Sequence, residues 1–138
     1  MVTVNSKGDK KMPLGIMVLQ WDNEIGPILI SSYPEHLKIT NNLLTQIYGS
    51  HRGVSSSLEP GFSSLTLKNN KVVSFFSGLG EKHIEVENYI VALLLRRDER
   101  INNYREILNK IAANILSNIE NDEYKNLIPQ LYQDLTSV

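Results

Sequence analysis

"GIMVLQWDNEIGPILISSYP", residues 15–34, holds two apolar runs around a cluster of turn formers. In the first run Ile16 and Val18 point one way while Met17, Leu19 and Trp21 point the other. A strand apolar on both parities is covered on both faces, which places it centrally in a sheet. Asp22, Asn23 and Gly26 then predict a turn, and "PILISSY" resumes an extended run, so the stretch reads as a hairpin with a loop of about four or five residues. Pro27 has no N–H to give to a ladder, which puts it at a strand's first residue or on an edge. The second strand is therefore expected to be an edge strand.

Working outward, Thr40 can cap a helix of about ten residues in which Leu43, Leu44, Ile47 and Tyr48 form one apolar stripe and Gly49 is the natural stop. In "FSSLTLKNN", Leu65 and Leu67 alternate with Ser64, Thr66 and Lys68, the pattern of a second edge strand left by a tight turn. "VVSFFSGL" and "NYIVALLLR" supply two more strands, the latter apolar on both faces. From Asp98 as cap, Ile101, Tyr104, Leu108, Ile111 and Ile115 fall at helical spacing, widened by Ile107, Ala112 and Ile119. Asn121 and Asp122 interrupt this helix, and a terminal helix follows with its start or kink at Pro129.

The order β-β-α-β-β-β-α-α follows. If the two most apolar strands, first and fifth, lie in the middle, they must pair, giving a mainly antiparallel sheet of order 2-1-5-4-3. Both faces need cover, so the expectation is an α/β (α+β) three-layer α/β/α sandwich, with the short helix on one face and the last two on the other. Residues 1–12, polar and carrying Lys7, Lys10 and Lys11, read as a flexible tail, and 13–138 as a single domain.

Fourteen Lys and Arg against fifteen Asp and Glu leave a net charge of −1, so no global field attracts nucleic acid or an anionic membrane. The absence of cysteine excludes disulfides, thiolate nucleophiles and cysteine-ligated metal. The longest apolar stretch, Ile90 to Leu95, is far short of the ~20 residues of a membrane span, so a soluble, cytoplasmic protein is expected, without transmembrane insertion.

The hairpin placed first and the amphipathic helix pair placed last resemble the longin domain, a profilin-like fold related by permutation to the roadblock domain, over roughly Leu14 to Leu135. "GPILISSYP" resembles the second strand of longin modules in the DENN and nitrogen-permease-regulator-like families. The "WDxxxGP" opening is similar to stand-alone trafficking-type modules found in some archaea. Such families bind rather than catalyse. The resemblance implies a scaffold or adaptor that engages a small Ras-like GTPase or another longin or roadblock subunit, forms a homodimer as a further option, and reaches membranes through partners. No SNARE coiled coil or DENN core is expected beside the domain, and no arginine finger is placed by motif.

No residue pattern points to chemistry, so no catalytic, cofactor or metal residue is assigned. His36, His51 and His83 lie in separate segments without ligand-spaced partners and read as solvated surface imidazoles. Ser55, Ser56 and Ser57 lack a strand–Ser–helix elbow, and "SGLGEKH", residues 77–83, lacks the second half of a phosphate-binding loop. Arg96, Arg97 and Arg100 with Asp98 and Glu99, followed by Arg105 and Lys110 on the helix, read as a solvated helix start with local ion pairs, with a site for an anion or an acidic partner as the alternative. Trp21 is expected to pack near the hairpin turn, and the polar loop from Arg52 to Phe62 is a mobile loop or a peptide clamp.

Candidate partner-binding residues are Ile28, Ile30 and Tyr33 on one edge, Phe62, Leu65 and Lys68 on the other, and Asn42 and Gln46 on the uncharged outer face of the first helix, beside Asn41 and Thr45. The competing reading is a profilin-like or PAS/GAF-like small-ligand sensor, against which stand strands filled with Ile, Val, Leu and Phe. An enzyme ranks third for want of an acid–base or nucleophile pair at a credible spacing.

Overall fold

The computed structural model describes residues 13–22, 24–52, 61–77 and 89–136. β1 (Gly15–Asp22) and β2 (Gly26–Tyr33) form the hairpin, α1 (Asn41–Arg52) follows, and β3 (Gly61–Thr66), β4 (Asn70–Phe76) and β5 (Tyr89–Arg96) complete the sheet before α2 (Arg105–Leu116) and α3 (Tyr124–Thr136). The sheet has the expected order β2-β1-β5-β4-β3, with every neighbouring pair antiparallel.

Two-sided burial explains why β1 and β5 are central. Ile16 and Val18 of β1 and Val91, Leu93 and Leu95 of β5 join Leu108, Ile111, Ile115 and Ile128 under α2 and α3. Met17, Leu19, Ile90, Ala92 and Leu94 join Leu44 and Ile47 under α1. Each fully buried Leu or Ile contributes about 1.5–3 kcal/mol, so exposing either face would cost more than a domain's typical net stability. The result is a three-layer sandwich.

The hairpin forms, but Asp22 pairs with Gly26, so its loop is three residues rather than the four or five expected. Asp22 Oδ1 accepts the N–H groups of Glu24 (2.8 Å) and Ile25 (3.0 Å), and Gly26 takes φ 101°, a conformation that favours glycine. Pro27 pairs with Trp21 near the start of the edge strand β2. Gly15 has no room for a side chain, because a Cβ there would lie 2.1 Å from Leu37 Cδ1 and 2.7 Å from the Tyr33 carbonyl. β2 also holds a bulge: Val18 faces Ser31 while Leu19 faces Leu29, leaving Ile30 without an opposite residue.

Two boundaries differ from expectation, at Gly49 and at Asp98. Thr40 caps α1 through a 3.1 Å bond from the Leu43 N–H, but Gly49 does not end the helix, which continues to Arg52. Glycine inside a helix costs about 1 kcal/mol, and burial of Ile47 and His51 on either side offsets it. Asp98 does not cap a long helix; Glu99 closes a turn on the Arg96 carbonyl, a 3₁₀ turn covers Ile101–Tyr104, and α2 begins only at Arg105. Asp122, at φ 63°, breaks the chain after a 3₁₀ turn at Ile119–Asn121, as the Asn121–Asp122 pair suggested. α3 then starts at Tyr124, and Pro129 lies inside it rather than at its start.

Candidate interaction surface

The eight predicted contact residues separate into three places. On β2, Ile30 and Tyr33 are half-buried against the α2–α3 core, and the Tyr33 ring meets Tyr132 edge-on at 5.4 Å. Ile28, paired with Gln20, is half-buried on the same edge. On β3, Phe62 packs on Phe75 at 5.2 Å and against the α2–α3 core, while Leu65 packs against the α1 core. Lys68 stands exposed in the turn after β3, where its carbonyl accepts a 3.0 Å bond from Arg97 Nη1. Three strands separate β2 from β3, so at ~4.8 Å per strand the edges are about 19 Å apart.

The outer face of α1 lies between them. Asn41, Asn42, Thr45 and Gln46 are all exposed there, as the uncharged polar pattern predicted. α1 packs across the sheet against both β2 and β3.

Beneath α1 sits an aromatic cluster in which one residue, His51, departs from the sequence reading. Trp21 stacks on Tyr48 at 4.3 Å and 13°, Tyr48 meets Phe76 edge-on at 5.9 Å, and His51 lies 5.7 Å from Phe76. His51 is only 6% exposed and its Nε2 lies 2.8 Å from Ser74 Oγ, so it is a core residue rather than a surface imidazole. The signal was available: His51 falls four residues after Ile47 and seven after Leu44 on the same helical stripe. Burial lowers its pKa from 6.5 to about 4, which keeps the ring neutral. The His–Ser pair is no hydrolytic dyad, because Ser74 is 1% exposed and a nucleophile must reach its substrate.

Glu99 is the second reassignment. It is 1% exposed, and both carboxylate oxygens are engaged: Oε2 accepts the Arg96 N–H at 2.6 Å and Oε1 accepts the Tyr104 hydroxyl at 2.5 Å. Burial and the bond to Glu99 push the Tyr104 hydroxyl well above its ordinary range. Lys71 Nζ donates to the Glu99 carbonyl at 3.0 Å, so one residue ties the β5–α2 turn to β4. A cleft of about 480 Å³ opens beside it, lined by Glu99, Arg100, Asn103, Tyr104, Ile107 and Leu135 together with Asp98. With both oxygens of Glu99 occupied, it is a structural lock rather than a general base.

No group of three His, Asp or Glu side chains able to hold a metal occurs among the described residues. Among them, too, no helix is long and apolar enough to cross a membrane. His36 is exposed, as expected. Ser55–Ser57, the interior of the Arg52–Phe62 loop, Gly78, Gly80 and His83 lie outside the described residues, as do residues 1–12. No protein-family model matches the chain, and a search of curated proteins finds no match.

Proposed function

We propose that this chain is a non-catalytic, longin-type interaction module that engages a small Ras-like GTPase or a second longin or roadblock subunit. Its place in the cell would be cytoplasmic, with membranes reached through the partner. The observation that carries the reading is the five-stranded sheet of order 2-1-5-4-3, whose two end strands, among the described residues, each have a ladder partner on one side only. An unpaired strand edge offers a row of N–H and C=O groups to another chain. The exposed, uncharged face of α1 adds a surface that loses little hydration energy when covered.

Filled layers on both sides of the sheet support binding at the surface over a ligand held in the core. The engaged state of Glu99 and the burial of Ser74 support the absence of a catalytic role for either.

The deciding experiment is a pull-down from the source cell's lysate with immobilised full chain, repeated with candidate GTPases loaded with GDP or a non-hydrolysable GTP analogue. Retention of a GTPase or of a longin-type subunit is expected. Retention of neither in either nucleotide state would reject the proposal. Light scattering after size exclusion separates the homodimer from the hetero-partner.

A further inference from the structure

We infer that β3, rather than β2, is the docking strand, and that its partner presents an extended acidic segment which adds to the sheet as a sixth strand. The inference rests on the reading of the chain as an interaction module and sharpens it to one edge and one partner chemistry.

Three observations lead there. β3 pairs with β4 in unbroken register from Gly61–Phe76 to Thr66–Lys71, without bulge or proline, so its outer backbone groups alternate regularly over about 20 Å. β2, by contrast, holds Pro27 as its second residue and is bulged at Ile30, two devices that disfavour a further strand.

Second, cations stand at both ends of β3. Arg105 lies over the Phe62 ring at 5.5 Å near the strand's start. Lys68 follows its end, and Arg97 is held there by the 3.0 Å bond from Nη1 to the Lys68 carbonyl. Lys71, opposite Thr66, is held by its bond to the Glu99 carbonyl. Arg97 and Lys71 thus donate to backbone carbonyls, which fix where the two cations stand.

Third, the strand itself carries no charge: Gly61, Phe62, Ser63, Ser64, Leu65 and Thr66. Ladder hydrogen bonds would supply attachment, and carboxylates near each end of the incoming segment would meet Arg105 on one side and Lys68 with Arg97 on the other. Charge complementarity at a rim chiefly selects the partner and speeds its encounter. A basic or neutral strand would meet the same backbone without that selection.

The test uses ¹⁵N-labelled full chain at low salt and two capped Val–Thr octapeptides, one with Glu at both ends and one with Lys at both ends. The Glu peptide should shift the amides of Gly61–Thr66, Lys68, Arg97 and Arg105, and bind about tenfold more tightly than the Lys peptide, on the modest scale of exposed charge pairs. The double variant Lys68→Glu/Arg105→Glu, checked for unchanged melting, should reverse the preference, and added salt should erase it. Equal affinities, no binding, or shifts centred on β2 would overturn the inference.

Failure here and failure of the module reading are separable. A GTPase or longin subunit retained equally by the double variant leaves the module reading intact and rejects the β3 edge. An empty pull-down combined with Glu-peptide binding on β3 does the opposite.

Discussion

The two edges of this sheet carry the same kind of strand and end differently. β2 is an eight-residue strand whose residues are half-buried throughout, with Ile30 and Tyr33 drawn into the α2–α3 core. Tyr132 closes on it from α3, packing on Tyr33 and donating its hydroxyl to the Pro13 carbonyl at 2.9 Å. β3 is shorter and pairs without a bulge, alternates exposed Ser64 and Thr66 with half-buried Leu65, and is framed by Lys68, Arg97 and Arg105. A protein cannot leave both ends of a sheet equally available without inviting indiscriminate pairing. Here one edge carries proline, bulge and aromatic packing, and the other, among the described residues, has neither proline nor bulge and is flanked by cations.

That contrast can be broken most strongly at Glu99, which secures the turn beside the cationic end of β3. Glu99→Ala leaves the Arg96 N–H and the Tyr104 hydroxyl without their acceptor, and a loss of about 3 kcal/mol in urea unfolding is expected. Tyr104→Phe, which removes one of the two bonds, should cost about half as much. A neutral outcome for both would mean that the turn, and with it the placement of Arg97 and Lys71, does not depend on this carboxylate.

His51 provides the next largest effect, on the α1 side of β4. The unfolded imidazole takes up a proton near pH 6.5, whereas the folded one does so only near pH 4. Stability contributed by the neutral ring is therefore complete above 6.5 and lost as pH falls toward 4, by about 2 kcal/mol between pH 7 and pH 5. His51→Gln should flatten that part of the stability profile. An unchanged profile would argue that the ring titrates normally.

Smaller is the expected cost of Tyr132→Phe, about 1 kcal/mol for the lost bond to Pro13, with faster hydrogen exchange concentrated in β2. If exchange rises equally in β3, the two edges are not independently secured. Smallest of all, Lys68→Glu and Arg105→Glu should each leave the melting temperature nearly unmoved, within about 0.5 kcal/mol, because both side chains are exposed. Their consequence belongs to binding.

Much of this architecture was legible before any coordinates. Among the described residues periodicity identified the five strands and the three α-helices, and the double-sided apolar pattern of Ile16–Leu19 and Ile90–Leu95 was enough to place β1 and β5 side by side. Punctuation was less dependable. Gly49 is a weak helix former and Asp98 a good cap, yet neither acts so, because Ile47 and His51 on one side and the Glu99 network on the other outweigh preferences of about 1 kcal/mol.

The candidate surface was readable only in part. Edge positions follow from strand order, but the bulge at Ile30 and the Arg97–Lys68 bond depend on register and on a turn packed against a distant one. Glu99 and His51 show the same limit. A titratable side chain reads as solvated until its partners are known, and Tyr104, the Arg96 backbone and Ser74 are brought to them by the turn and by the packing of α1 on the sheet. Local hydrophobic pattern thus settled which elements form and in what order they pair, since each buried face needs a neighbour whatever its detail. Which polar groups are sequestered, and which edge strand is bulged and which pairs in unbroken register, was settled by contacts between residues far apart in the chain.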